Sequence, residues 1–208
     1  LKLPKKNANK ILVLPNGVDT SNFSKFNHRN GRELLFIGNL NRFEDDRNLK
    51  FILDCFKSSE LDEKIRFKII GGPNKYLKIL ENYSSKLEIN NKVTFLSWQK
   101  RDQIFNEIQK SDIGLLMNSS MNKHSVFHTS PLKYFEYLYA GLNILAVDFP
   151  SHRSLPYSKF ITFFKENDKK SFINSLNSLP RPFELTKDDL FDITLESRVK
   201  KILSFTKS

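Results

Sequence analysis

Six short apolar runs recur along the chain, at residues Glu33 to Ile37, Arg66 to Ile70, Lys92 to Leu96, Ile113 to Met117, Asn143 to Val147 and Lys159 to Phe164, with helix-patterned stretches between them. Leu49, Ile52, Leu53 and Phe56 are spaced for one helix, with Asp45 and Asp46 in or before its first turn. Tyr76, Leu80, Tyr83 and Leu87 are spaced for a second, after the break Gly71-Gly72-Pro73, and Ile104, Phe105 and Ile108 for a third. Further helices are predicted from Ser130, around Lys169 to Leu179 where the Leu179-Pro180-Arg181-Pro182 run stops it, and after a Thr194 cap, with Leu195, Val199, Ile202 and Leu203 as apolar positions. Parallel strands need a crossover of this kind between them. The alternation therefore predicts an α/β, Rossmann-like doubly wound parallel sheet of about six strands with helices on both faces, and places ligands at the carboxyl ends of the strands.

Composition narrows the class further. The 208 residues suffice for one substantial domain rather than two, and no apolar run approaches the length that spans a bilayer. The single cysteine, Cys55, excludes an internal disulfide framework and fits a reducing cytoplasm. A net charge of +11 admits nucleic acid, an anionic membrane surface or a basic solvated surface. Because Lys and Arg are interspersed with Asp and Glu, and no nucleic-acid motif accompanies them, the solvated surface is favoured. The chain begins at Leu1, without a signal-peptide pattern, which suggests part of something longer.

Chemistry concentrates in Thr129 to Asp148. Ser130 suits an N-cap and Pro131 the first helical position, Gly141 a left-handed C-cap, and Asn143 to Val147 a strand buried on both faces. A helix start carries free N–H groups and the positive end of a dipole, which suits phosphate, and a nearby carboxylate suits sugar hydroxyls. Lys133 and Glu136 lie three apart, so they can form an ordinary ion pair or face a ligand. Upstream, Ile11 to Leu14 reads as a short strand and Pro15-Asn16-Gly17-Val18-Asp19 as a turn in which Gly17 can take positive φ. His124 and His128 fall in a polar stretch, Asn118 to Thr129, that reads as a loop; four apart, they would chelate a metal only on a helix, and no metal is expected.

The Thr-Ser-Pro-Leu-Lys-Tyr-Phe-Glu-Tyr-Leu-Tyr-Ala-Gly run resembles the donor-binding domain of group 1 (family 4) glycosyltransferases, and Val-Leu-Pro-Asn-Gly-Val-Asp resembles the segment by which they enter that domain. The resemblance spans about residues 11 to 205 and implies one half of a GT-B fold. Residues 1–30 would form the interdomain connection and residues 31–208 the nucleotide-sugar-binding domain. It implies a retaining enzyme that transfers a sugar from a nucleoside diphosphate donor to a hydroxyl acceptor, without a divalent ion or other cofactor. The setting would be bacterial surface polysaccharide or glycoconjugate synthesis, in the cytoplasm or at the inner face of an anionic membrane.

Carried onto this sequence, the resemblance assigns Glu136 to the ribose hydroxyls; Lys133, one turn into the helix, would face an anionic ligand, and Thr129 and Ser130 read as caps that can also offer donors to the diphosphate. Gly38 would allow close approach of backbone to phosphate. Where many relatives carry an arginine after that glycine this chain has Asn39, so Arg42 or Arg47 would supply the cation. Gly71, Gly72, Ser97, Trp98 and Gln99 match loops that border the nucleotide, Trp98 being either a base contact or a buried aromatic. The first of the family's paired glutamates is replaced by His128, which could touch sugar or phosphate or neither. The acceptor-binding domain would lie outside this chain, and the closing helix would present an apolar face without cover. Two rival classes remain: a non-catalytic nucleotide-binding or interaction module of the same fold, and a nucleic-acid-binding domain suggested by charge alone.

Overall fold

The fold comes from a computed structural model that describes residues 10–21, 23, 32–42, 45–179, 186 and 188–207, apart from the side chains of 42, 45 and 46. In chain order the strands and helices are β1 (Glu33–Asn39), β2 (Asn41–Arg42), β3 (Asp45–Asp46), α1 (Leu49–Phe56), β4 (Arg66–Gly72), α2 (Asn74–Lys86), β5 (Val93–Leu96), α3 (Arg101–Lys110), β6 (Ile113–Leu116), α4 (Lys123–Phe127), α5 (Leu132–Tyr139), β7 (Asn143–Val147), α6 (Pro150–Arg153), β8 (Ile161–Phe164), α7 (Lys169–Asn177) and α8 (Leu195–Thr206). Six of the strands form one sheet in the order β5-β4-β1-β6-β7-β8, every neighbouring pair parallel. This is the doubly wound order, whose direction reverses between β1 and β6.

Strand alternation sends successive side chains to opposite faces, and both faces are covered. Leu34, Phe36, Phe67 and Ile69 pack with Leu53 and Phe56 of α1 and Phe172 of α7. Leu35, Ile37 and Ile70 pack with Ile104, Phe105 and Ile108 of α3 and with Tyr134, Phe135 and Leu138 of α5. At about 1.5–3 kcal/mol for each large apolar side chain taken out of water, these two layers are the main drive to fold. Every residue of β7 is buried, as its unbroken apolar run predicts. Gly141 has φ 77°, and Leu142 N–H reaches Tyr137 O at 3.0 Å while Gly141 N–H reaches Leu138 O at 3.1 Å, a Schellman closure of α5.

Several local expectations change. Ile11 to Leu14 is not a strand: the segment pairs with no strand of the described residues, and Val13 is 80% exposed. Gly17 does not take positive φ; a Cβ there would press on Leu195 Cδ2 at 3.1 Å, so close approach of α8 is what the glycine permits. Gly71 and Gly72 continue β4 rather than break it, and a Cβ on Gly71 would collide with the Gly38 carbonyl oxygen. Asp45 and Asp46 form a small antiparallel hairpin with Asn41 and Arg42, because Asn48 at φ 56° delays the start of α1 to Leu49. The Asn118 to Thr129 stretch contains α4, started by Asn122, whose Oδ1 accepts from the N–H groups of His124 at 2.9 Å and Ser125 at 3.3 Å. The break after Leu179 falls outside the described residues.

Thr194 caps α8 as expected, its Oγ1 accepting from Ser197 N–H at 3.1 Å. The entry segment joins the same body. Val18 bridges Thr194, and Phe23 packs edge-on against Phe105 and Tyr139. Leu195, Val199, Ile202 and Leu203 are all exposed on α8, so its predicted apolar face has no cover among the described residues. No helix of the described residues is long and apolar enough to cross a membrane.

Candidate functional site

The crevice opens where β1 and β6 part. β1 pairs with β4 over seven residues but with β6 over two, Leu34 with Ile113 and Leu35 with Gly114. Beyond that point Tyr137 of α5 enters the seam, and its hydroxyl accepts the hydrogen bond of Ile37 N–H at 3.1 Å. Gly114 makes room for it: a Cβ there would lie 2.2 Å from the Tyr137 ring. Burial holds the Tyr137 hydroxyl far above its ordinary pKa, so it stays neutral and keeps satisfying that strand N–H. The strand ends therefore diverge without leaving a buried donor unpaired.

Two recesses lie side by side at these carboxyl ends and share Ile37, Trp98, Leu132 and Lys133. The first, about 540 Å³, runs from Gly38 and Trp98 past Ser130 and Lys133 to Arg47, Asn118, His124, His128 and His152. None of the described residues lining it is Asp or Glu. The second, about 470 Å³, is floored by Val18, Ile104, Phe105 and Leu195 and edged by Asp19, Gln99, Arg101 and Glu136. Lys133 stands on the shared wall, paired with Glu136 at 2.5 Å, and both side chains are more than two-thirds covered. An ion pair one turn apart on a helix, still open to solvent on one side, contributes little to stability. The placement between two recesses is what distinguishes it.

Helix α5 begins one residue later than predicted. Pro131 is its N-cap in extended conformation, with no side-chain capping bond, and its carbonyl accepts from Tyr134 N–H at 3.1 Å. Ser130 is held instead through its carbonyl, which accepts from Asn16 Nδ2 at 2.7 Å. Thr129 Oγ1 donates to the His124 and Ser125 carbonyls, both at 3.2 Å, and so closes α4 rather than capping α5. The first turn of α5 faces the carboxylate-free recess through Ser130, Pro131, Leu132 and Lys133. Positive helix-end potential and cationic side chains thus converge on one cavity.

Of the residues singled out from sequence, Gly38, Arg47, Trp98, His128, Thr129, Ser130 and Lys133 line the first recess, and Glu136 the second. Asn39 is exposed at the end of β1, outside both. Gly72 also lies outside them, and a Cβ there would meet the Trp98 indole, so its role is to let Trp98 lie close. The Arg42 backbone is in the hairpin, and its side chain is outside the described residues. Arg47 Nη1 donates to Met117 O at 3.3 Å and to Asn118 Oδ1. Trp98 is half-exposed, which removes the buried-aromatic explanation.

His124 and His128 sit on consecutive turns of α4 and its C-cap, with ring centroids 5.9 Å apart, so the loop assignment that argued against chelation does not hold. Among the described residues no group of three or more His, Cys, Asp or Glu could hold a metal ion. Sequence reasoning missed Asn16, Asn118, Tyr137, Gly114 and His152. His152 is fully buried on α6, its ring lying over Phe149 and its Nδ1 2.8 Å from Val147 O. Burial lowers its pKa, reinforced by the Arg47 charge against smaller opposing contributions.

The family model described as glycosyl transferases group 1 matches residues 20–181. No curated protein sequence matches. Among solved structures, sucrose-phosphate synthase from Thermosynechococcus elongatus superposes with a TM-score of 0.65 at 9% identity, covering 93% of this chain and 51% of that one. Anabaena HepE in complex with UDP and glucose gives 0.63 at 12%, covering 86% and 49%. The lipopolysaccharide outer core galactosyltransferase WaaB gives 0.57 at 18%, covering 78% and 44%. At these identities the likeness is one of fold, that of one half of a GT-B molecule. The chain spans about half the length of these structures.

Proposed function

The chain belongs to the group 1 glycosyl transferases, and on that premise we propose that it is the nucleotide-sugar-binding half of a retaining enzyme that moves a sugar from a nucleoside diphosphate to a hydroxyl acceptor. The observation that carries the reading is the division of the crevice at Lys133 into a cationic, carboxylate-free recess and a neighbour edged by Glu136. The nucleoside occupies the second recess, where the Glu136 carboxylate accepts hydrogen bonds from the ribose hydroxyls over an apolar floor. The diphosphate crosses to the first recess, against the start of α5, Lys133 and Arg47. As the bond from sugar to phosphate breaks, negative charge grows on the leaving diphosphate, and groups already fixed there stabilise it without reorganising.

In this reading a divalent ion is not needed, since the charge is met by side chains and the helix terminus. The acceptor and its activating groups belong to a domain outside this chain, which would cover the apolar face of α8, so the chain by itself transfers sugar poorly. Bacterial surface polysaccharide or glycoconjugate synthesis at the cytoplasmic face of a membrane is the setting we propose, the basic surface favouring an anionic lipid boundary. Calorimetry with UDP, GDP and ADP in the presence of a chelator tests the reading: one of them should bind saturably. Binding that appears only on adding a divalent ion, or no binding by any of the three, would overturn it.

A further inference from the structure

The carboxylate-free recess is lined by three histidines that the proposed chemistry leaves idle, and one of them is buried. His152 lines it, is wholly buried, and has its distal ring nitrogen Nε2 without a hydrogen-bond partner. The other ring nitrogen is committed, because Nδ1 faces the Val147 carbonyl at 2.8 Å, and a carbonyl can only accept. Nδ1 therefore carries the proton. In the neutral ring that burial favours, Nε2 is then a bare lone pair. Phe149 stacks on the ring face at 22° between planes and, with the Val147 bond, holds the direction of the lone pair.

A buried acceptor left unmatched is costly, so an occupant that supplies a donor recovers interaction energy that water on an open surface would otherwise provide. The diphosphate of a nucleotide sugar, esterified at both ends, offers ionised oxygens and no donor, whereas the sugar offers hydroxyls. Resting on the nucleotide-sugar reading above, we propose that His152 Nε2 accepts a hydrogen bond from a hydroxyl of the transferred sugar, directly or through one bound water, and so helps select the donor. The residue is a binding and specificity determinant that lies outside the Thr129 to Glu136 run.

The test separates the two ring nitrogens. His152→Asn places an amide N–H where Nδ1–H stood and removes Nε2, whereas His152→Gln reaches toward the Nε2 position with an acceptor oxygen. Affinities are measured by calorimetry for UDP, GDP and ADP and for UDP-glucose, GDP-mannose and ADP-glucose, with melting temperatures alongside. His152→Asn is expected to weaken the preferred sugar conjugate about three- to tenfold while leaving the bare diphosphate unchanged, and His152→Gln to restore part of the loss. Monodeoxy and monofluoro analogues of the preferred sugar should show one position at which wild type loses the same factor and His152→Asn loses nothing more. Equal affinity of wild type and both variants for the conjugate, or equal loss for conjugate and diphosphate, would overturn the assignment while leaving the nucleotide site standing. Failure of every diphosphate and conjugate to bind wild type would remove the nucleotide reading and this inference with it.

Discussion

The two recesses are neighbours built from the same strand ends, yet they differ in kind. One collects Arg47, Lys133 and three histidines with no carboxylate among its described lining, while the other has an apolar floor and carries Asp19 and Glu136. Chemistry alone does not separate them, because Lys133 and Glu136 are a single turn apart on α5. What separates them is the way α5 lies across the sheet, with Tyr137 wedged between β1 and β6. A ligand with a charged middle and a hydroxyl-rich, partly apolar end would use both, and each prediction below asks whether the two halves are indeed separable.

The largest effect is expected at the wedge, where the halves stand or fall together. Gly114→Val would drive methyl groups into the Tyr137 ring, already 2.2 Å from a notional Cβ. Overpacking in a closed core costs about 1–3 kcal/mol and more when a fixed ring must move, so this variant should lie at about 3 kcal/mol or beyond. Chemical denaturation should show the loss, and nucleoside and diphosphate affinity should both disappear. Retained binding of either would show that the crevice does not depend on this seam.

Glu136→Ala should act on one half only. Loss of charge-assisted hydrogen bonds to ribose is worth about 1.5–3 kcal/mol, roughly ten- to a hundredfold in affinity. The factor should be nearly the same for nucleoside and nucleoside diphosphate, because both carry the ribose. Folding should hardly change, since Ala is the better helix former and the partnership with Lys133 contributes at most about 1 kcal/mol. Unchanged binding by calorimetry would remove Glu136 from the site.

How much of this comparison could be read beforehand follows from what periodicity encodes. Apolar runs such as Asn143 to Val147 announce themselves because both faces of a central parallel strand are buried, and the spacing of Leu49, Ile52, Leu53 and Phe56 follows from one buried helix face. The parallel sheet and the neighbourhood of α5 were within reach for the same reason. Tyr137 was not, since in a stripe of aromatics nothing local marks the one whose hydroxyl replaces a strand partner. His152 was hidden because a four-residue helix has no period, and the Val147 carbonyl that fixes its tautomer is identified by the fold. Gly17 shows the converse. Its turn-like neighbours suggested a dihedral requirement, whereas the constraint is the nearness of α8, more than 170 residues later in the chain.

A third substitution provides the contrast of stability without binding. Lys68 on β4 lies between Glu33 at 2.7 Å and Glu107 at 2.8 Å, and belongs to neither recess. Burial alone would lower the Lys68 pKa and raise that of Glu107, but their hydrogen bonds and charges reverse both, leaving Lys68 above 10.5 and Glu107 below 4.5. Glu107 therefore adds stability above its unfolded pKa that is lost as pH falls through the folded value. Lys68 adds stability below its own unfolded pKa that is lost as pH rises through the folded one. Lys68→Met should cost about 2 kcal/mol, less than the break of a wholly buried pair, evenly around neutral pH and progressively less as pH falls below the ordinary carboxylate pKa or rises above the ordinary lysine pKa. Nucleotide affinity should not move; if it does, the base of the sheet and the crevice are coupled.

The smallest effect, and the sharpest on the comparison, belongs to Lys133. Its ammonium holds Glu136 at 2.5 Å while lining both recesses, so two roles are open to it: meeting the diphosphate, or orienting the carboxylate for ribose. The roles predict different ligand dependence. If the lysine meets phosphate, Lys133→Ala should weaken a nucleoside diphosphate by about 1 kcal/mol, roughly fivefold, because one partly screened cation among several is removed, while the bare nucleoside should bind as before. If it orients Glu136, nucleoside and diphosphate should weaken by the same factor. We expect the first pattern, since Lys133 also lines the carboxylate-free recess, which Glu136 does not. The double variant with Glu136→Ala then decides the matter: a lysine acting only through the carboxylate costs nothing further once Glu136 is gone, whereas one that meets phosphate still weakens the diphosphate in the absence of Glu136.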